Sequence, residues 1–155
     1  GLGILKNLKR TPDLFELGLG ALLHDIGKSL IDPLIINKPG KLTGEEYMIV
    51  QGHVAAGMKL LENCRDAIPK NSFFPVLQHH EKLSGFGYPH KLKEQRIHLF
   101  GRITAIVDFY DALVTDRPYR KALEPFDALK LMYDYPGDYD HVLMRDFVVM
   151  LGGQS

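Results

Sequence analysis

Cysteine is nearly absent: Cys64 stands alone among 155 residues, so the chain can form no internal disulfide and offers no thiolate pair for a zinc knuckle. Its thiol is expected to be a small buried apolar group. Net charge is absent too, with 19 Lys and Arg against 19 Asp and Glu. That balance excludes a global field for nucleic acid or an anionic membrane, and leaves DNA out as a partner. A phosphate-bearing ligand would need a local cluster of cations. No apolar run approaches the ~20 residues that span a bilayer, and no signal peptide is recognisable, so a soluble chain in the cytoplasm is expected. Alternating apolar and polar residues, internal repeats and low-complexity tracts are likewise missing. An all-α fold is the remaining class.

What is present suffices for one core. With 45% hydrophobic residues, a chain of this length buries about two-thirds of its unfolded surface, and residues 1–155 are read as a single domain. Residues 1–10 look like the tail of a helix, and Thr11-Pro12-Asp13 starts the next one with Thr11 as its cap. Leu14, Leu17, Ala21, Leu22 and Ile26 recur at helical spacing, carrying His24 and Asp25 near the end of a largely buried helix that Gly27 closes. Residues 31–41 read as a loop anchored by Leu34 to Ile36. Thr43 to Glu46 is a capping box opening a helix of some twenty residues with His53 midway and an apolar face of Met48, Ala55, Met58, Leu60 and Leu61. A short helix over 72–83 ends in His79 and His80, and 84–89 is a turn. Residues 96–114 form the central helix, nearly encircled by Ile97, Phe100, Ile103, Ile106, Val107, Tyr110 and Leu113. Two amphipathic helices follow, near 125–135 and 140–151.

The chemistry gathers around His79 to Pro89, HHEKLSGFGYP. His24, Asp25, His53 and Asp108 can be brought to it, whereas His90, His98 and His141 are read as ordinary hydrogen-bonded or solvated histidines. Several ionisable groups in or beside apolar runs need a common compensation, and metal ions supply it. Imidazoles and carboxylates without thiolate point to iron, manganese or another metal preferring five or six ligands. Adjacent ligands such as His24 and Asp25 diverge by ~100° around a helix, which suits two ions bridged by a carboxylate, an arrangement made for phosphoester hydrolysis. Lys28 is either a cation favoured by the helix dipole or a phosphate contact. Arg117 and Arg120 are either solvated or forks for phosphate and guanine, and Tyr88 either packs or offers its ring to a base. Asp111, sharing a face with Asp108, is read as the partner of a ligand.

Taken in order, HDIGK at 24–28, HHE and GYP between 79 and 89, DxxDAL at 108–113 and RPYR at 117–120 resemble the HD-GYP domain, a branch of the HD phosphohydrolase superfamily. The resemblance covers about 17–151. It implies an HD-superfamily helical bundle and metal-dependent hydrolysis of cyclic di-GMP to pGpG, in some members onward to GMP, by a metal-bridging hydroxide. By position, His24, Asp25, His53, His79, His80 and Asp108 would be the ligands of two or three divalent ions, iron or manganese, with Asp25 bridging. Lys28 would contact the scissile phosphate, Tyr88, Arg117 and Arg120 would hold the dinucleotide, and Glu81 would support the histidines. The family's further histidine and glutamate before HDIGK are not in GLGILKNLKR and are expected upstream of Gly1, as is a sensory or receiver domain. The C-terminus is expected to stop short of the family's usual end, and a dimer stays open. Ser84 replaces an acidic or amide residue common before the turn. The alternatives are a phosphohydrolase for another nucleotide and a non-catalytic cyclic di-GMP receptor or protein-interaction module.

Overall fold

The computed structural model describes residue 8 and residues 11–117, 120–135 and 137–153, and among them every regular element is helical. The helix tail read over residues 1–10 lies outside them apart from Leu8, as do Pro118 and Tyr119 of the RPYR loop and the side chain of Thr11.

The first half of the chain builds the wall of the site. Helix α1, Thr11–Leu23, is followed by a 3-10 turn, Ile26–Leu30, and by the short α2, Pro33–Ile36, which Asp32 caps through the Leu34 N–H at 2.9 Å. The expected burial of α1 is not observed. Leu22 is 81% exposed, and Leu14, Phe15 and Ile26 also face solvent. Gly20 is the buried position, because the helix lies so close to Ser72 and Pro75 that only glycine fits. Leu34, read as an anchor, is exposed; Ile31 is the residue that buries.

The long helix expected after Thr43 is two helices. Thr43 and Glu46 form the capping box as expected, but α3 stops at Gly44–Gln51 and α4 runs His53–Leu61. Between them Gly52 shares its N–H between Met48 O at 3.2 Å and Ile49 O at 3.1 Å, and glycine is a weak helix former at such a point. The expected apolar face is also corrected: Met48, Ala55 and Leu60 are exposed, and the buried stripe of α4 is His53, Val54, Gly57 and Leu61. Apolar residues alone misled because a histidine and a glycine take two of the four buried places, beside Val54 and Leu61. Cys64, on the following 3-10 turn Glu62–Ala67, is exposed rather than buried.

The second half supplies the core. Helix α5, Phe73–Gln78, leads to the central α6, Leu99–Val114, then α7, Pro125–Tyr133, and α8, His141–Gly152. Phe100, Ile103, Ile106 and Leu113 of α6 pack with Ala128 and Met132 of α7 and with Leu143, Met144 and Phe147 of α8. Each of these side chains larger than alanine, taken fully from water, contributes about 1.5–3 kcal/mol. Helix α6 begins at Leu99 rather than Arg96 because extended His98 caps it, its Nδ1 accepting the Phe100 N–H at 3.2 Å. Val107 is exposed, so the apolar girdle of α6 has a gap. Through that gap the helix reaches the site.

Candidate metal centre

Six donors read from the sequence converge. His24 follows the last residue of α1, Asp25 precedes the Ile26–Leu30 turn, His53 opens α4, His79 and His80 follow α5, and Asp108 lies on α6. Asp25 is the hub. Its Oδ1 is 3.3 Å from His53 Nε2 and 3.6 Å from His79 Nε2, while its Oδ2 is 3.3 Å from His24 Nε2. His24 Nε2 is also 3.6 Å from Asp108 Oδ1. The donors fall into two groups, Asp25 with His53, His79 and His80, and His24 with Asp25 and Asp108, each with ligand atoms within 4.8 Å of one another. Asp25 belongs to both.

The backbone dictates which imidazole nitrogen faces inward. Nδ1 of His24, His53 and His79 lies 2.6, 2.7 and 2.7 Å from the carbonyls of Ala21, Val50 and Pro75. A carbonyl can only accept, so each Nδ1 carries a proton, and each ring when neutral turns a bare Nε2 toward Asp25. Nε2 of His53 and His79 stand 3.3 Å apart. Lone pairs facing lone pairs and carboxylate oxygens need a cation or protons between them. Among the described residues, buried His24 Nε2 and Asp25 Oδ1 have no hydrogen-bond partner, and buried polar atoms placed like this call for a cation. Separations of 3.3–3.6 Å also match neighbouring donors around one ion with bonds of about 2.0–2.2 Å. The residues present therefore fit divalent metal.

Protonation follows the same geometry. Burial works against a charged His24, but the carboxylates of Asp108 and Asp25 outweigh it and raise the ring to about 10. Burial would raise Asp25, yet His24, His79 and Lys28 hold it well below the usual carboxylate range. Burial lowers His53, and burial together with neighbouring His79 lowers His80 to about 2. Burial opposes ionisation of Asp108, but His24 and then His80 keep it low.

The remaining polar groups have definite partners. Lys28 Nζ binds Asp25 Oδ2 at 2.5 Å, so its ammonium stands at the hub. Tyr88 stacks on His80, with centroids 4.6 Å apart and planes at 24°. Arg120 lies over the end of α6, its Nη2 donating to the Ala112 and Leu113 carbonyls, and it pairs with Arg117 through a single backbone bridge. Arg117 Nη2 is 3.9 Å from Asp111. Asp111 is 67% exposed and meets that arginine, so the expectation that it supports a ligand is corrected. A cavity of about 360 Å³ opens beside His24 and Asp108, lined also by Leu17, Ala21, Val107 and Asp111.

The loop that carries Tyr88 is built by glycines and carboxylates. Gly85 has φ +84, a left-handed conformation that favours glycine. Gly87 has no room for a Cβ, which would stand 2.4 Å from Lys82 N and 2.6 Å from His80 O. Tyr88–Pro89 is cis. Ser84 leaves the turn intact: its hydroxyl donates to Asp138 Oδ1 at 2.6 Å and accepts from Phe86 N–H at 3.4 Å. Asp138 also takes Lys82 Nζ at 2.6 Å. Burial resists ionisation of Asp138, but Lys82 and Ser84 keep its pKa low. Sequence reasoning missed Asp138, which lies 54 residues from Ser84 in a loop with no motif.

Glu81 does not support the histidines as expected. Its buried carboxylate accepts the N–H groups of His90 at 2.6 Å and Leu92 at 2.9 Å, tying down the chain beyond Pro89. Glu81→Gln leaves only one good acceptor for two donors and is expected to cost about 1.5–3 kcal/mol. Denaturant midpoints measure that loss, and unchanged bound metal in the variant separates a loop anchor from a ligand.

Comparison with known proteins agrees with this architecture. The chain is 40% identical over 141 residues to the cyclic di-GMP phosphodiesterase PA4108 of Pseudomonas aeruginosa, a match covering 91% of this chain and 34% of that protein. It is 42% identical over 98 residues to the 3'3'-cGAMP-specific phosphodiesterase 2 of Vibrio cholerae, covering 63% of this chain and 19% of that one. The chain thus spans about a third or less of these relatives. Among solved structures, the HDG"Y"P protein Bd1817 of Bdellovibrio bacteriovorus superposes with a TM-score of 0.76 over 97% of this chain and 48% of its own, at 21% identity, a likeness of fold. The family model described as HD domain matches residues 4–143, and the chain belongs to that family.

Proposed function

We propose that this domain is a metal-dependent phosphodiesterase that hydrolyses cyclic di-GMP to pGpG, and onward to GMP if the linear product rebinds. The observation that carries the reading is Asp25, a carboxylate shared by two groups of donors whose bare nitrogens and oxygens face one another. Two divalent ions held there, or three, iron or manganese by donor type, would lower the pKa of a water between them and polarise a phosphate oxygen.

The protein's own residues do the rest. His24, His53, His79, His80 and Asp108 hold the ions around Asp25, and the Nδ1–H bonds of His24, His53 and His79 to backbone carbonyls fix their orientation. Lys28 gives the scissile phosphate a cation beside Asp25, in a chain with no overall positive field. Tyr88 and Arg117 hold the dinucleotide at the mouth. Arg120 takes part with the N–H donors that the Ala112, Leu113 and Lys121 carbonyls leave over. Relatives named for both cyclic di-GMP and 3'3'-cGAMP support a cyclic dinucleotide as the substrate class. A bacterial cytoplasmic setting and a sensory or receiver domain upstream in a longer protein belong to the same reading.

The test is anaerobic incubation of the manganese- or iron-loaded chain with cyclic di-GMP and, separately, 3'3'-cGAMP. Turnover abolished by chelation is expected. Full metal occupancy with no hydrolysis of either would overturn the proposal, and tight binding without hydrolysis would make the domain a receptor.

A further inference from the structure

Helix α3 is not explained by its own packing. None of its eight residues is buried, and Tyr47, Met48 and Ile49 on it are 49%, 63% and 49% exposed. A helix this short is marginal in water, and burial of one face ordinarily holds it. Here its first turn holds it, through the Thr43–Glu46 capping box and the Lys38–Glu46 ion pair at 2.7–2.8 Å. Tyr47 is the next residue, its N–H bonded to Thr43 O at 2.9 Å. The ring of Tyr47 meets Tyr88 edge to face, with centroids 6.5 Å apart and planes at 79°. Tyr88 in turn stacks on His80. A half-exposed ring is thus joined by one intervening ring to a donor of the metal centre.

We propose that Tyr47, with Tyr88, forms a ledge on which one nucleobase of the cyclic dinucleotide rests, which assigns Tyr47 as a substrate-binding residue. The assignment rests on the phosphodiesterase reading and names the part of the site that takes the base. Two rings nearly at right angles make a corner, so a base stacked on one presents its rim to the other. The phosphate belongs at the donors and the base must project away from it; the Tyr88 and Tyr47 rings form an aromatic surface continuous with those donors. Stacking accepts any purine, since every base has a π face. The ledge therefore supplies affinity and leaves the choice between guanine and adenine to other groups.

Tyr47→Ala and Tyr47→Phe in the manganese-loaded chain test this. Removing the ring is expected to raise KM for cyclic di-GMP at least about tenfold, with kcat falling far less, and Tyr47→Phe is expected to stay within about twofold of the parent. The calorimetric Kd of GMP, which is not turned over, should move in parallel with KM, and bound manganese should not change. A Tyr47→Ala chain with the parent's KM and Kd overturns the ledge and leaves the phosphodiesterase reading standing. Loss of kcat together with metal, at constant Kd, also overturns it, because Tyr47 would then only support the fold. If the parent chain, fully loaded, turns over no cyclic dinucleotide, the phosphodiesterase reading fails and the ledge goes with it.

Discussion

Asp25→Asn is expected to empty the metal centre and to lower kcat/KM for cyclic di-GMP by more than about a hundredfold. Changing a residue that merely orients a ligand typically costs about 10–100-fold in metal affinity or activity, and Asp25 is the member common to both donor groups. Asparagine keeps the shape but offers one neutral carbonyl oxygen in place of two anionic ones, so one group loses its shared donor and the other keeps only a weakened one. Asp108→Asn touches only the group containing His24 and should leave part of the metal bound. Elemental analysis of the two variants side by side checks the ordering, and equal metal loss from both would contradict Asp25 as the bridge. Protons offer a second check. The metal-free ring of His24 is raised to about 10, so at pH 7 it carries a proton that metal must displace, and metal affinity should rise with pH. The same proton stabilises the metal-free fold: this contribution is complete below the unfolded value of about 6.5 and is lost as pH rises through about 10. Asp25, whose pKa is lowered, contributes above about 4 and loses its effect in stronger acid. Calorimetric metal titrations in buffers of different ionisation enthalpy would detect the proton released.

The donors were legible because chemistry demands particular residue types. Histidine beside aspartate in HDIGK and paired histidines in HHE have few structural uses in apolar surroundings, and all six predicted ligands meet. The helical class was legible from periodicity, and so were α7, α8 and the Thr43 capping box. What failed were judgements about which face packs. Leu22, Met48 and Leu60 looked like core and are exposed, because Gly20, Gly27 and Gly57 mark the close approaches around α1 and α4, and hydrophobicity gives glycine no weight. Partners remote in sequence were also invisible: nothing in KLSGFG announces that Lys82 and Ser84 will share Asp138. The role of Glu81 was misjudged for a related reason, since its partners are backbone N–H groups, and these carry no signature in side-chain chemistry.

Gly27→Ala, by contrast, is expected to damage fold and site together without touching a donor atom. A Cβ on Gly27 would stand 2.0 Å from the His53 carbonyl oxygen and 2.5 Å from Gly57 N. Both are backbone atoms, so no side chain can rotate away, and the Ile26–Leu30 turn must separate from α4. Forcing extra methylenes into a packed interior costs about 1–3 kcal/mol where side chains can yield, and occasionally more. Backbone against backbone belongs at the upper end, about 3 kcal/mol or beyond, which for a chain of this size lowers Tm by roughly 10 °C. Gly57→Ala is the milder control, because its Cβ would meet its neighbours at 3.3–3.5 Å. The turn and α4 also carry the two sides of the metal centre: Asp25 immediately precedes the first, and His53 opens the second. Their 3.3 Å separation must widen as the clash is relieved, so metal affinity should fall in Gly27→Ala even at temperatures where the variant remains folded. Thermal unfolding with and without manganese separates the two effects. The metal-free Tm reports the packing loss, and the smaller rise on adding manganese reports the displaced ligands. A Gly27→Ala chain that gains as much from manganese as its parent would mean that the close contact of turn and helix serves stability alone.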